Sequence, residues 1–564
     1  MLINGLTSLD YAAVSVYLVL MAGVGGAMGL VVKNVKEFFA GGNNVPWHLG
    51  AVSNYMTMMS AFVFVAHAGI AYKDGLVAIV ILWSAVPAAL VGTAFLASRW
   101  RRAGLVTPVE YLEQRYNASV RQITSWGGVI FRVMDNMVRL YALGVFVSGA
   151  LGCSMMTAVV LCGGVVMLYT MIGGLWAVVV TDAIQCAILL MVTIVLVPLA
   201  LTAAGGFGAL TDALPHHFTW THGPKGHFWF LFVYYVMVLI KFNGNWAFIQ
   251  RFYCTEDERA AKKMGLFSTV LFFVCPVIFL LPAIAAAALL PELSNPEEAY
   301  VSVCKLLLPP GVMGLMIAAM LAATMSTLSS EYNVTAGVMT RDIYQRLLRP
   351  NAGEREQMIV ARLTTLLLGG AIMWGASLVK GLGGAFEVNK VLMGLFGVPL
   401  VVPLIFGVLW RRPKPWGAVF SIISGMLIGV ALNRFSAMDW ETATFVQMVG
   451  CVASLLISAV GESRDNGYAQ RVGDLFRRLN TPVSECEGTH DRQGQRPLQV
   501  LFAVALGLSG LLFVGISLFS VSLTSGRYTL TAGVCCCLCA VLVGFRLRVR
   551  TASAHKKDGD VHVD

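Results

Sequence analysis

The sequence predicts an all-α polytopic membrane protein with about fifteen transmembrane helices. Three observations carry that prediction. Hydrophobic residues make up 57% of the 564 residues and charged residues only 12%, about half the ~25% charged share of a soluble domain. Apolar runs of about 20 residues, long enough to cross a bilayer as a helix, recur along the chain with short polar links. Lysine and arginine, finally, are rich in one link and sparse in the next.

The runs lie near 8–31, 48–71, 74–98, 121–150, 152–173, 176–204, 227–251, 264–290, 311–340, 357–379, 390–410, 414–433, 444–461, 498–522 and 527–546. The chain holds 30 Phe, 26 Met and 57 Gly, a mixture that suits helices packed closely in lipid. The first run is longer than a signal-peptide core and has no basic stretch before it, so it reads as a span. The polar link 462–497 has room for one short helix but not for a domain core. Residues 548–564 read as a basic tail.

Charge placement sets the orientation. With the N-terminus outside, 30 of the 40 basic residues fall in inside segments (33–36, 99–121, 251–263, 341–362, 411–414, 464–496 and 546–557). Six fall outside: Lys73, Lys225, Lys305, Lys380, Arg434 and Arg527. This is the positive-inside pattern. It predicts a multi-pass protein of the plasma (inner) membrane with a cytoplasmic C-terminus and the lipid bilayer as its surroundings. The net charge of +10 is then orientation charge and calls for no nucleic acid. Protein partners are not indicated.

Enzyme chemistry finds little support. Cys535, Cys536, Cys537 and Cys539 lack the spacing of a zinc site and read as apolar packing. The histidines show no metal-ligand spacing, and His216, His217, His222 and His227 fall in or beside an outside link. No nucleophile–base arrangement with recognisable spacing is present.

Polar residues inside the runs are therefore the informative ones, since a charge there costs at least ~2.5–3.5 kcal/mol on insertion scales. Arg132, Arg139, Lys241 and Lys390 are the basic ones; Asp135, Asp182 and Glu331 are the acids. Asp135 lies three residues from Arg132 and four from Arg139 and can pair with both on one helix face. Lys390 begins a run and can reach the interface. Ala323, Ser326, Thr327 and Ser330 share a helix face at spacings of three and four, with Ser329 beside Ser326. That hydroxyl face supports two readings: close helix packing with bonds to its own carbonyls, or ligands for a dehydrated sodium ion. Asn243-Gly244-Asn245 in mid-run predicts an unwound helix, tolerated only where protein or water satisfies its backbone. Lys241 precedes it. No corresponding break is predicted in 48–71, where residues 54–61 contain no Gly or Pro.

Four stretches together resemble the sodium:solute symporter family, which includes sodium–glucose, sodium–proline and sodium–sialic acid transporters. They are Glu37-Phe38-Phe39-Ala40-Gly41-Gly42 through Pro46-Trp47; Tyr169-Thr170-Met171-Ile172-Gly173-Gly174-Leu175-Trp176-Ala177 to Thr181-Asp182-Ala183-Ile184-Gln185; Asn245 through Ile249-Gln250-Arg251; and residues 322–330 through Thr340-Arg341-Asp342-Ile343-Tyr344. The resemblance spans about residues 8–460.

It implies a five-plus-five inverted-repeat (LeuT-type) core, with one extra N-terminal and several extra C-terminal helices. Its parts would be an N-terminal helix and inside loop (1–47), repeat one (48–204), an outside loop (205–226), repeat two (227–410), peripheral helices (411–547) and the tail (548–564). It further implies a main sodium site made of carbonyls of Met56, Met59 and Ala323 and hydroxyls of Ser326 and Thr327. A second sodium site would use Asp182, Ser329 and Ser330 with Ser326; alternatively Asp182 is a structural acid assisting ion release. Substrate positions carried over are Phe62, Val63, Leu82, Asn136 and Lys241. Phe62, Val63 and Leu82 replace residues that bond sugar hydroxyls, Asn136 matches a sugar-contacting asparagine, and Lys241 replaces an aromatic gate. The expectation is a sodium-coupled symporter importing a small organic solute by alternating access, leaning to an organic acid or zwitterion. A sodium/sugar symporter, or a proton-coupled or uncoupled facilitator on the same fold, is the alternative.

Overall fold

In the computed structural model the described residues are 6–29, 34–382, 385–435, 438–460 and 466–483, with isolated positions between 507 and 541. The runs 498–522 and 527–546, and the cysteine cluster apart from Cys537, lie outside them. Among the described residues, eight helices are long and apolar enough to cross a membrane, or up to ten if each of two bent pairs counts as one span.

The elements that position the site are few. Helix α1 (Ser8–Gly29) and α2 (Trp47–Met56) come first, then α3 (Ala118–Leu151) and α4 (Met155–Ala203). The pair α5 (Phe228–Asn243) and α6 (Trp246–Tyr253) follows, then α7 (Glu258–Leu289) and α8 (Val312–Val338). Every residue of α8 is buried; α1, α3 and α4 pack around it. An all-buried helix suits a span wrapped by other spans, and it explains how α8 can carry Ser326, Thr327, Ser329, Ser330 and Glu331 away from lipid.

Helix α4 is interrupted at Gly174, whose backbone has φ 55° and ψ −160°. A Cβ there would sit 2.7 Å from the Phe38 ring, so glycine serves both the positive φ and the close approach. The break joins the Phe38 and Gly174 stretches in space. The polar link after the thirteenth run holds one amphipathic helix, α9 (Asn466–Asn480), as its composition suggested. It is anchored through Arg115, which is fully buried and donates to Tyr468 Oη (2.8 Å) and to the carbonyls of Gly407, Trp410 and Pro413.

At the same end of the bundle, Glu113 accepts from Arg346 and Arg121, both at 2.7 Å, and Arg121 also bonds Asp342. Arg346, then Arg121, hold the Glu113 carboxyl at about 2, below its ordinary range. A depressed carboxyl contributes stability that is present above its unfolded value and lost as pH falls through the folded one. Glu113→Gln should therefore lower the melting temperature at pH 7. That difference should shrink as pH drops from about 4.5 toward about 2, measured by thermal unfolding of both proteins across that range.

Candidate functional site

The second run, 48–71, is broken where no break was expected. Helix α2 ends at Met56, and Thr57–Ser60 lies outside regular α-helix before the chain resumes as a π-helical turn at Val63–His67. The hydroxyl face of α8 satisfies the freed backbone. Thr324 Oγ1 accepts from the Ala61 amide at 2.9 Å. Thr327 Oγ1 lies 2.8 Å from the Met59 carbonyl and 3.3 Å from those of Met56 and Ala323. One hydroxyl proton serves three carbonyls, so oxygen lone pairs are in excess. Ser326 Oγ, fully buried, has no hydrogen-bond partner. Four of the five residues assigned to the main sodium site, Met56, Met59, Ala323 and Thr327, thus converge, and their chemistry is that of a hard-cation cradle: neutral oxygens, short of protons.

The second set is arranged differently. Asp182 Oδ2 accepts from Ser53 Oγ at 2.5 Å and lies 3.7 Å from Arg251, while Oδ1 has no partner. Arg251 is buried and donates to Ser53, Gln250 and Ser330 at 2.6–3.0 Å. Ser329 Oγ turns back to the Ser326 carbonyl at 3.1 Å. Asp182 and Ser330 therefore share one guanidinium, and Ser329 is engaged with its own helix. Ser326 lies beside Asp182, close enough to act on its carboxylate.

The unwinding at Asn243-Gly244-Asn245 is present: α5 and α6 meet at a 49° bend. Asn245 caps α6, accepting from the amides of Ala247 (2.8 Å) and Phe248 (3.3 Å), and its Nδ2 donates to Glu331 (3.1 Å). Asn245→Ala should cost about 1–2 kcal/mol through the lost cap, read as a lower melting temperature. Asn245→Asp, which keeps the cap but meets Glu331 with a like charge, should not recover it.

Beside this bend lies a cavity with an empty volume of about 790 Å³, including its open mouth, within the range of small-ligand sites. Phe62, Val63, Leu82 and Lys241 line it. Asn136 does not; it is buried in α3 with its Oδ1 unpartnered. Sequence reasoning missed His67, Ser84, Arg139, Asn245 and Asn389 as lining residues. A polar residue spaced along an apolar run was the only signal available for His67 and Asn389. The internal charges also pair otherwise than helix spacing suggested. Asp135 takes Arg139 (3.0 Å) and Asn389 (2.7 Å), but Arg132 reaches across to Glu331 at 2.5 Å. Lys241 forms no ion pair among the described residues. No cluster of three or more His, Cys, Asp or Glu side chains able to hold a metal occurs among them.

The sequence model described as "Sodium:solute symporter family" matches residues 38–429. The chain belongs to the sodium:solute symporter family. It is a multi-pass membrane transporter that couples a small solute to sodium. The sodium/glucose cotransporter of Vibrio parahaemolyticus is 26% identical over 474 residues, covering 76% of this chain and 86% of that protein. The sodium-coupled monocarboxylate transporter 1 of Xenopus laevis is 25% identical over 461 residues, 76% and 72% respectively. Among solved structures, a substrate-bound, outward-open sodium-coupled sialic acid symporter aligns with a TM-score of 0.73 at 22% identity, over 80% of this chain and 98% of that one. The shared fold is the LeuT-type inverted-repeat core.

Proposed function

We propose that this symporter imports a small monocarboxylate with an apolar body. The observation that carries this reading is the charge balance at the cavity. Three cations, Arg132, Arg139 and Lys241, stand against two carboxylates, Asp135 and Glu331; each arginine pairs with one acid, and Lys241, which feels both acids only at longer range, is left without an ion pair, so the cluster carries one positive charge in excess. A buried charge is retained when something neutralises it, and a solute carboxylate does so. Much of the wall is apolar or aromatic (Phe62, Val63, Leu82, Phe242, Phe248, Phe272), which suits a hydrocarbon body, and His67, Ser84, Asn245 and Asn389 are its uncharged polar members. The likeness to a sodium-coupled monocarboxylate transporter supports the same reading.

Sodium binds, in this reading, to the carbonyls of Met56, Met59 and Ala323 and the hydroxyls of Ser326 and Thr327. Ion binding ties the broken second run to α8, and Met58 and Met59 sit in the cavity wall, so the ion orders part of the solute site. Positive coupling between ion and solute follows from their favouring one state. Asp182 and the unpartnered Ser326 oxygen are the next ligands on the release path, with Arg251 balancing the acid; Ser329 and Ser330 would join a second ion only after Arg251 moves. The repeats occupy 48–204 and 227–410, flanked by 1–47, 205–226, 411–547 and 548–564. The protein sits in the plasma (inner) membrane, N-terminus outside and C-terminus cytoplasmic.

A thermal-shift screen of purified protein tests the solute class. Butyrate, lactate, pyruvate and benzoate should raise the melting temperature more in sodium than in choline, because linked ligands stabilise the same state. Glucose and mannitol should not. A shift by glucose alone would return the reading to a sugar symporter.

A further inference from the structure

A second cavity lies beside the first, and Lys241 and Asn245 line both. Much of its wall is one face of α3, where Thr124, Gly128, Arg132 and Asp135 follow at spacings of four, four and three. Two side chains in that wall keep a polar atom without a hydrogen-bond partner: Arg132 at Nε and Thr124 at Oγ1, residues 5% and 2% exposed. Such atoms are rare in native interiors, and each calls for an explanation. Arg132 is also held in place. Its Nη1 meets Glu331, and its guanidinium carbon lies 4.4 Å from the centroid of the Trp246 ring, which leaves the Nε edge unbonded. Two turns further along the same face, Arg139 lines the first cavity. Helix α3 thus carries a ladder of donors from Arg139 past Arg132 to Thr124, with the Lys241 ammonium at the junction of the two cavities.

We propose that the second cavity is an inner subsite for the solute carboxylate, which passes from Lys241 and Arg139 to Arg132 and Thr124 on its way toward the Arg121 end of α3. This rests on the carboxylate reading above and adds a second station to it. Lys241 can face an anion in either cavity, so the charge need not be left uncompensated between the two. Gly128 packs directly against the Trp246 ring, from which a Cβ would lie 2.3 Å, so any side chain at this position would displace a ring that lines the second cavity.

The test uses full-length protein reconstituted in liposomes, with radiolabelled butyrate as probe, and compares equilibrium binding with uptake. Gly128→Ala sets a methyl group against Trp246. Sodium-dependent binding in the first cavity should stay within about twofold of native while uptake falls about tenfold or more. Thr124→Val keeps the side-chain shape and removes the hydroxyl; uptake should fall about threefold with binding unchanged. Where Gly128→Ala fails to fold, Thr124→Val decides alone. Uptake at the native rate in either folded variant, or binding lost in step with uptake in Thr124→Val, overturns the inner subsite. Native protein that neither binds nor takes up butyrate removes the carboxylate reading and this inference with it, an outcome distinct from the other two.

Discussion

Thr327→Ala is expected to raise the sodium concentration for half-maximal uptake by about tenfold or more, the effect of losing one cation ligand worth roughly 1.5–3 kcal/mol. The Thr327 hydroxyl is central to the cradle, lying within 3.3 Å of three carbonyls. Its loss removes a ligand and also the contact that holds the Met56–Met59 turn against α8. Ser326→Ala should act in the same direction, since Ser326 Oγ is buried with no other bond to lose. Ser329→Ala is the internal control, because Ser329 already donates to its own helix; its sodium dependence should stay within about twofold of native. Sodium-activation curves for the three variants, measured at fixed solute, separate a ligand set from general weakening of α8. Equal shifts in all three would point to packing.

The second large effect is on the solute. Lys241→Met should raise the concentration of carboxylate needed for half-maximal uptake by about a hundredfold, equivalent to ~3 kcal/mol for a desolvated charge pair. The fold should survive, since Asp135 keeps Arg139 and Glu331 keeps Arg132. Sodium affinity measured without solute should barely change. Asn136→Ala, by contrast, alters a residue that does not line the cavity and should leave the solute dependence near native. If Asn136→Ala disrupts uptake of a sugar while Lys241→Met does nothing, the solute is neutral.

How much of this was legible beforehand differs from element to element. The hydroxyl face of α8 could be read from spacing, because a helix places Ser326 and Thr327 on one side whatever surrounds it. Its role could not, since packing and ion binding use the same residues; what spacing could not supply is that Thr327 meets carbonyls from another segment. The unwinding at Asn243-Gly244-Asn245 announced itself through residues that disfavour helix. The break after Met56 did not, because nothing in residues 54–61 opposes helix. The reason lies some 270 residues away, where Thr324 supplies an acceptor and Thr327 a donor to the opened backbone.

Charge pairing shows the same limit. Helix spacing offered Asp135 to both Arg132 and Arg139, and it took only Arg139, since Glu331 on α8 is the nearer partner for Arg132. Of the positions carried over by resemblance, Met56 and Met59 present carbonyls to Thr327, and Phe62 and Val63 line the cavity. Asn136 is the exception, buried off the cavity wall while Arg139, one turn away, lines it.

The measurement that tests the account most directly is uptake of radiolabelled butyrate into liposomes containing the purified full-length protein. An inward sodium gradient should drive accumulation above the external concentration, and an inside-negative potential should increase it, since each inward charge gains ~2.3 kcal/mol per 100 mV. Thr327→Ala and Lys241→Met should each abolish the overshoot at low sodium and low butyrate. Butyrate that merely equilibrates, equally fast with sodium or choline outside, or that follows a proton gradient and ignores sodium, would contradict it.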